Sequence, residues 1–364
     1  MLSGASRQCK RKYFGAPTDE LGFLLPILVW FERLRTFRLG YQKKFKGERI
    51  SMNRDELLKI VEPLLRCPTA PTFEEMVTDE IYRQLQGRSG IRIEKDQFGN
   101  LIAMRSGSAQ AQYAFVAHMD HPGWRLQPKK EFLGSVRPEL QDKGKIRSFG
   151  EFGMWDLPEI LIEQDRLYSR ACDDLIGCST IVSILHWLEE NRSPASVYGI
   201  FTRAEEVGLI GAIDLAKSGR LDPDLTVISL ETSAERPPAR MGAGPIIRVG
   251  DRASIFNSDV TALLVEAAKS YELPYQRCLM DGGTCEGTAF QLYGYRSGAL
   301  SIALGNYHNC TPDGRIDAEY IDLKDLEGLI ALCVAIVTEP RSVADVCEAR
   351  RDRLEARLKD FPLG

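Results

Sequence analysis

From Met52 onward, short apolar runs alternate with stretches in which apolar residues recur every three or four positions. Unbroken apolar runs of four to eight residues fit strands covered on both faces, and the three-to-four spacing fits helices with a buried stripe. Strands are predicted at Ile91–Glu94, Leu101–Arg105, Tyr113–Ala117, Val197–Thr202, Leu225–Leu230, Ile246–Val249 and Ala299–Leu304. Helices are predicted at Leu175–Glu190, Leu209–Lys217, Asp259–Tyr271, Leu323–Val337 and Val343–Lys359. The segment NRDELLKIVEPLLR after Met52 reads as a further helix, and Thr72-x-x-Glu75 has the spacing of a capping box opening a helix through Leu85. Strands and helices alternating in this way define an α/β domain.

Two stretches break the pattern. Between Gly123 and Leu167, Pro, Gly and Lys alternate with short β-like pieces, and no helical period is sustained. Trp124, Phe132, Phe149, Phe152 and Trp155 are more aromatic surface than a linker carries, so 123–167 is read as a small β-rich insertion. It is expected to contact a partner subunit in a homo-oligomer, at least a dimer. It divides the main domain into 52–122 and 168–364. Residues 1–51 run basic, apolar and basic again. Their apolar centre, Gly22 to Phe31, is interrupted by Pro26 and falls short of the ~20 residues that span a bilayer. Asp19 and Glu20 stand on its entry side and no small-residue cleavage site follows, which argues against a signal peptide. The segment is read as an extension without a structural role, or second as a surface-docking amphipathic segment, with Met52 as an alternative start.

Composition narrows the partners. Against 47 Lys and Arg stand 51 Asp and Glu, a formal charge of −4, and this argues against a dedicated nucleic-acid or membrane-surface binder. Nine cysteines without a CxxC pair argue against a disulfide framework or zinc knuckle and favour a reducing, cytoplasmic setting. The only histidines are His118, His121, His186 and His308, so any metal or acid–base site draws on these four.

Candidate chemistry collects where strands end. The run YAFVA leads into His118-Met119-Asp120, and residues i and i+2 of an extended chain project to one side. A carboxylate there can take one imidazole N–H and leave the other nitrogen for a metal, although a strand-end histidine beside an unrelated acid has the same sequence. Cys172-Asp173-Asp174 opens the helix LIGCSTIVSILHWLEE, where acidic residues are favoured by the helix dipole whatever their function. On that helix Ser179, Ser183, His186 and Glu190 form one polar stripe, so His186 is expected to face solvent. The strand SVYGIFTRA runs into Glu205-Glu206. Adjacent carboxylates diverge on an extended chain, so one can bind a metal while the other faces a water, or both can simply be solvated. LTVISL ends in Glu231, and SGALSIALGNY delivers His308.

Open α/β sheets hold their ligands outside the carboxyl ends of their strands, which makes these scattered residues candidates for one site. Two neutral imidazoles with Asp173, Glu206 and Glu231 carry three negative charges; two divalent cations and a hydroxide would neutralise them. Oxygen and imidazole donors suit zinc, manganese or cobalt.

The order HMD, DDLIG, EEVGLIGA, a strand-end acid and a late histidine resembles the dinuclear metallo-aminopeptidases of the glutamyl, deblocking and tetrahedral group, some mislabelled as endoglucanases. The resemblance runs from about Met52 to Val337 and includes MGAGPIIRVGD (Met241–Asp251) and GGT (Gly282–Thr284). It implies a zinc-exopeptidase type of fold, a mixed central sheet with helices on both faces. It also implies two divalent ions, foremost zinc, and hydrolysis of N-terminal residues from peptide substrates. By the same resemblance His118 and Glu231 would hold one ion, Glu206 and His308 the other, and Asp173 both. Glu205 would be the general base and Asp120 would orient His118. The chain departs from the family pattern at His121, where an acid is usual, at Leu175, at Glu231 in place of Asp, at Cys285-Glu286 after GGT, and in its shortened insertion.

Three other readings are carried. A metal-dependent deacylase or carboxypeptidase-like amidohydrolase would share the fold and metals. A thiol hydrolase would use Cys285, His308 and Asn309. A non-catalytic binding protein would retain only the fold.

Overall fold

Tyr113–His118 is buried at all six positions, as an unbroken apolar run must be when helices cover both faces of its sheet. The computed structural model describes residues 52–339 and 341–359, so the reading of the first fifty-one residues lies outside the described residues. Helices α1 (Arg54–Arg66) and α2 (Glu75–Leu85) precede strands β1 (Ile91–Lys95), β2 (Leu101–Arg105) and β3 (Tyr113–His118). The short strands β4 (Gly123–Arg125) and β5 (Glu131–Leu133), helix α3 (Pro138–Gln141), and β6 (Ile146–Ser148), β7 (Phe152–Trp155), β8 (Leu161–Glu163) and β9 (Arg166–Ser169) follow. Next come α4 (Leu175–Glu190), β10 (Val197–Thr202), α5 (Ile210–Ser218), β11 (Thr226–Ala234), β12 (Ile246–Gly250) and α6 (Ser258–Ser270). The chain closes through β13 (Gln276–Leu279), α7 (Glu286–Leu292), β14 (Arg296–Leu304), β15 (Glu319–Asp322), α8 (Leu323–Thr338) and α9 (Val343–Lys359).

Eight strands form one sheet in the order β1-β2-β10-β3-β11-β14-β12-β13. Its centre, β10, β3, β11 and β14, is parallel, while β1, β2 and β12 pair with neighbours antiparallel, so the sheet is mixed as expected. Alternate residues face opposite layers. Ala114, Val116 and Ile200 pack with α5 and α7, whereas Gly199 presents bare backbone to Ile181 of α4. A β-carbon at 199 would stand 2.4 Å from the Ile181 side chain, so glycine is what lets α4 lie this close to the sheet.

The four parallel strands point their carboxyl ends to one edge. There β3 and β11 part: their ladder stops at Val116 and Ser229, two residues before His118 and Glu231. The predicted strand ended at Leu230, but β11 runs on to Ala234 because β14 still pairs with it. Glu231 therefore stands inside a strand, on the wall of the crevice that opens beside β3.

Residues 123–155 form a separate four-stranded sheet, β5-β4-β7-β6, around Trp124, Val136, Leu140 and Trp155. The two indoles meet edge to face at 4.8 Å. Strands β8 and β9 instead join β15 in a three-stranded sheet. No helix among the described residues is long and apolar enough to cross a membrane. Eight described cysteines are free thiols.

Two local expectations are corrected. The capping box does not form: α2 begins at Glu75 with Glu74 as its N-cap, without a capping side chain, and Thr72 takes a left-handed φ of 73°. Glu75 instead binds Arg203 (3.0 Å), and Glu74 accepts from the N–H of both Thr72 (2.9 Å) and Ala204 (3.0 Å), so long-range partners displace the local motif. The polar stripe on α4 does not face solvent except at its end, Glu190. Ser179 and Ser183 are fully buried and donate to the carbonyls four residues back, which satisfies their hydroxyls inside the helix.

His186, on the same stripe, is partly buried between α4 and α2. Its Nε2–H donates to the Gln84 carbonyl (3.1 Å), and its Nδ1 accepts from Arg88 (3.1 Å). Burial and then the Arg88 guanidinium push its imidazole down to about 4. A folded-state value below the unfolded one supports stability above about pH 6.5 and withdraws that support as pH falls toward 4. Urea titrations should show wild type losing about 1–2 kcal/mol more than His186→Gln between pH 7 and pH 4, less than the full shift because water screens the ring. Parallel losses in the two proteins would contradict this role.

Candidate active site

His118 ends β3, buried, with its Nδ1 3.0 Å from the main-chain carbonyl of Asp120. Donation from Nδ1 leaves Nε2 as the free nitrogen, 3.4 Å from Asp173 Oδ1 and 3.9 Å from Glu205 Oε2. Asp120 thus reaches His118 mainly through its backbone. Its carboxylate stands 3.6 Å from Nδ1 and accepts hydrogen bonds from the N–H of Glu205 (2.9 Å) and Glu206 (3.0 Å). The turn that carries the paired glutamates is thereby held against β3. From its other side Glu74 holds the same turn through Ala204 N–H and Arg203 (2.7 Å). Burial and the Asp120 charge push the Glu74 carboxyl up to about 7 against the pull of Arg203.

Asp173 lies just before α4, and its N–H donates to Glu319 Oε2 at 3.0 Å. The other oxygen of Glu319 accepts from His308 N–H at 2.8 Å, so one buried carboxylate of β15 fixes two site residues. His308 Nδ1 donates to the Ser135 carbonyl (3.1 Å) and leaves Nε2 facing Asp173 Oδ2 (3.5 Å) and Glu206 Oε1 (3.1 Å). Burial opposes ionisation of Asp173, but the flanking imidazoles of His118 and His308 hold its carboxyl well below the usual range. Burial together with Glu286 pushes the Glu231 carboxyl well up, while Arg248 pulls it back. Burial also raises Glu205, against His118 and with Glu206.

The structure therefore brings His118, Asp120, Asp173, Glu205, Glu206, Glu231 and His308 to one crevice. All but Asp120 and His308 line a cavity of about 110 Å³, together with Thr232, Arg236, Arg248, Tyr307 and the loop 281–284. Donor atoms of His118, Asp173 and Glu206 lie within 4.8 Å of one another. Asp173 Oδ1, Glu206 Oε1, Glu231 Oε1 and His308 Nε2 are buried without a hydrogen-bond partner among the described residues. Buried polar atoms are normally satisfied, and four such donors converging on one crevice are what divalent cations would satisfy. The residues present fit the metals that the sequence implies.

Cys285 fits no such role. It is buried outside the cavity lining, burial pushes its thiol up, and its N–H is taken by Asp251. His121 lies beneath the site, its Nδ1 2.6 Å from the Asp173 carbonyl and its Nε2 3.0 Å from Asn309 Oδ1. Three further acids, Glu74, Glu319 and Glu286, have structural roles that the sequence did not reveal. Glu286 is fully buried and accepts from Thr202 (3.0 Å) and Ser229 (2.9 Å), tying together the two strands that flank β3. Its position two residues after the GGT motif was the one visible signal.

This mixed sheet gathers acids and histidines at its carboxyl edge in an arrangement suited to metal-assisted hydrolysis. Residues 139–332 match the M42 glutamyl aminopeptidase family, and the chain belongs to that family. It is 28% identical to a putative aminopeptidase of Acetivibrio thermocellus over 250 residues, 66% of this chain and 72% of that protein. Among solved structures it resembles the TET aminopeptidase from the marine sediment archaeon Thaumarchaeota archaeon SCGC AB-539-E09, with a TM-score of 0.70 at 18% identity, covering 82% of this chain and 99% of that one. It also resembles the Pyrococcus horikoshii TET1 peptidase, described as assembling into a tetrahedron or a large octahedral shell, with a TM-score of 0.66 at 20% identity and coverage of 78% and 99%. The chain is an aminopeptidase, a metallopeptidase acting on peptide bonds.

Proposed function

We propose that this aminopeptidase holds two divalent ions, zinc foremost with cobalt or manganese as substitutes, and releases N-terminal residues from peptides. His118 and Glu231 would hold one ion, Glu206 and His308 the other, and Asp173 would be shared. The convergence of orphaned, buried donor atoms carries this reading. When bound, the ions supply Lewis acidity that polarises the scissile carbonyl and acidifies water. Glu205, at the cavity wall and paired with no Lys or Arg among the described residues, accepts a proton from the attacking water and passes it to the leaving amine. Asp120 and Glu74 keep its backbone turn in place while that proton moves. A substrate's free α-amine would be held at one ion and the acids beside it, which restricts cleavage to the chain end.

The domain division belongs to the same reading: a catalytic unit of 52–122 and 168–364, with 123–167 inserted. The separate sheet of residues 123–155 supports it, and Ser135 links that sheet to His308. Assembly into at least a dimer is likewise proposed. The Pyrococcus relative forms larger shells, and β8, an edge strand, exposes Leu161 and Ile162.

A panel of aminoacyl anilides and their N-acetylated counterparts, each run with zinc, cobalt and manganese, tests the activity. Turnover of the free-amine compounds alone is expected. Turnover confined to the N-acetylated compounds would replace this reading with that of a deacylase.

A further inference from the structure

Tyr307 has no part in the chemistry described so far, yet it stands in the same cavity, next in sequence to His308. Its ring stacks on the His308 imidazole with centroids 3.8 Å apart and planes 22° from parallel. Stacking between adjacent residues needs an unusual backbone, and Asn306, His308 and Asn309 all adopt left-handed φ, 53°, 54° and 59°. Such backbone is sparsely populated by residues other than glycine and persists where its surroundings hold it. Here Asn306 donates to the Ala318 carbonyl (2.8 Å), His308 N–H to Glu319 (2.8 Å), and Asn309 to the Arg170 carbonyl (3.1 Å). The loop is pinned on three sides, and Tyr307 is pinned with it.

Its hydroxyl is nevertheless uncommitted. It makes no hydrogen bond with any described residue, and it lies 3.9 Å from where a β-carbon of Gly283 would stand. The carboxylates lining that cavity are acceptors, so they have nothing to offer a carbonyl oxygen that is gaining negative charge. Among the other donors lining the cavity, Arg236 is packed against Gly282, whereas Thr232 Oγ1 and Arg248 Nε are buried without a hydrogen-bond partner among the described residues. Tyr307 differs from them in that its ring is stacked directly on a candidate site histidine, which fixes where its O–H stands.

We propose that Tyr307 is a further catalytic residue, donating its Oη–H to the oxygen of the scissile carbonyl. The inference rests on the aminopeptidase reading of this site. As the water oxygen bonds to the carbonyl carbon, the π pair moves onto the carbonyl oxygen and the water proton goes to Glu205. The phenol holds that oxygen by a hydrogen bond and keeps its own proton. When the C–N bond breaks, the pair returns to restore the carbonyl, and the proton on Glu205 leaves with the amine. A donor aimed at the developing charge lowers the barrier without strengthening ground-state binding.

Tyr307→Phe removes the oxygen alone and keeps the ring on His308, so fold and metal content should be unchanged. We expect kcat on an aminoacyl anilide to fall roughly 10–100-fold with KM within about twofold. Calorimetry supplies a readout apart from turnover. The affinity of the metal-loaded variant for a tetrahedral aminophosphinate should fall by a similar factor, while that for the free amino acid product stays the same. Equal kcat and equal phosphinate affinity would overturn the proposal. So would a matching loss for phosphinate and product, which marks general packing. If the wild type itself turns over no aminoacyl anilide, the aminopeptidase reading fails and this proposal falls with it; an active wild type and an equally active variant remove Tyr307 alone.

Discussion

Replacing Glu205 by Gln should lower kcat by about 10²–10⁴-fold while both metals stay bound, because general-base catalysis is typically worth that much. The substitution keeps the size of the side chain and removes only the group that takes the proton. Glu205 Oε2 stands 3.9 Å from His118 Nε2, whereas Glu206 Oε1 is 3.1 Å from His308 Nε2 with no other partner. Glu206→Gln should therefore lose metal and activity together. KM for Glu205→Gln should change little where it reports binding. Metal analysis beside steady-state kinetics separates the cases. Metal lost from Glu205→Gln and kept by Glu206→Gln would reverse the two roles, and full activity in both would remove this pair from the mechanism.

Asp173→Ala should abolish turnover and empty both metal positions, whereas His308→Ala should mainly weaken one. Among the described residues Asp173 alone pairs with both His118 and His308, with Oδ1 3.4 Å from His118 Nε2 and Oδ2 3.5 Å from His308 Nε2. Its removal takes a shared anion from two cations, while His308 lends a single nitrogen to one. Metal content per chain after dialysis should approach zero in the first variant and one in the second. Equal, full metal content in both variants would contradict the bridging role.

The apolar pattern made the central sheet legible, since strands such as Leu101–Arg105 and Val197–Thr202 are continuous runs with clear ends. The helix Leu175–Glu190 was legible for the same reason, but the direction of its serines was not, because a hydroxyl that bonds its own helix can be buried. The chemical donors were visible at strand ends. The acids that hold them were not. Glu74 meets Ala204, Glu286 meets Thr202 and Glu319 meets Asp173 only once the sheet has folded, and no local spacing records contacts separated by many tens of residues. The Thr72–Glu75 motif misled for the complementary reason, since a good local partner lost to Arg203 from a distant turn. Short strands such as β13 and β15 were missed because four residues carry little pattern.

The most direct test of a two-metal aminopeptidase is add-back to the chelator-stripped, full-length protein, following turnover of an aminoacyl anilide as zinc, cobalt or manganese is titrated in. Activity should be absent at the start and reach its plateau at two equivalents per chain. Turnover that survives complete removal of metal, or that is never restored by any of the three ions, would contradict the account.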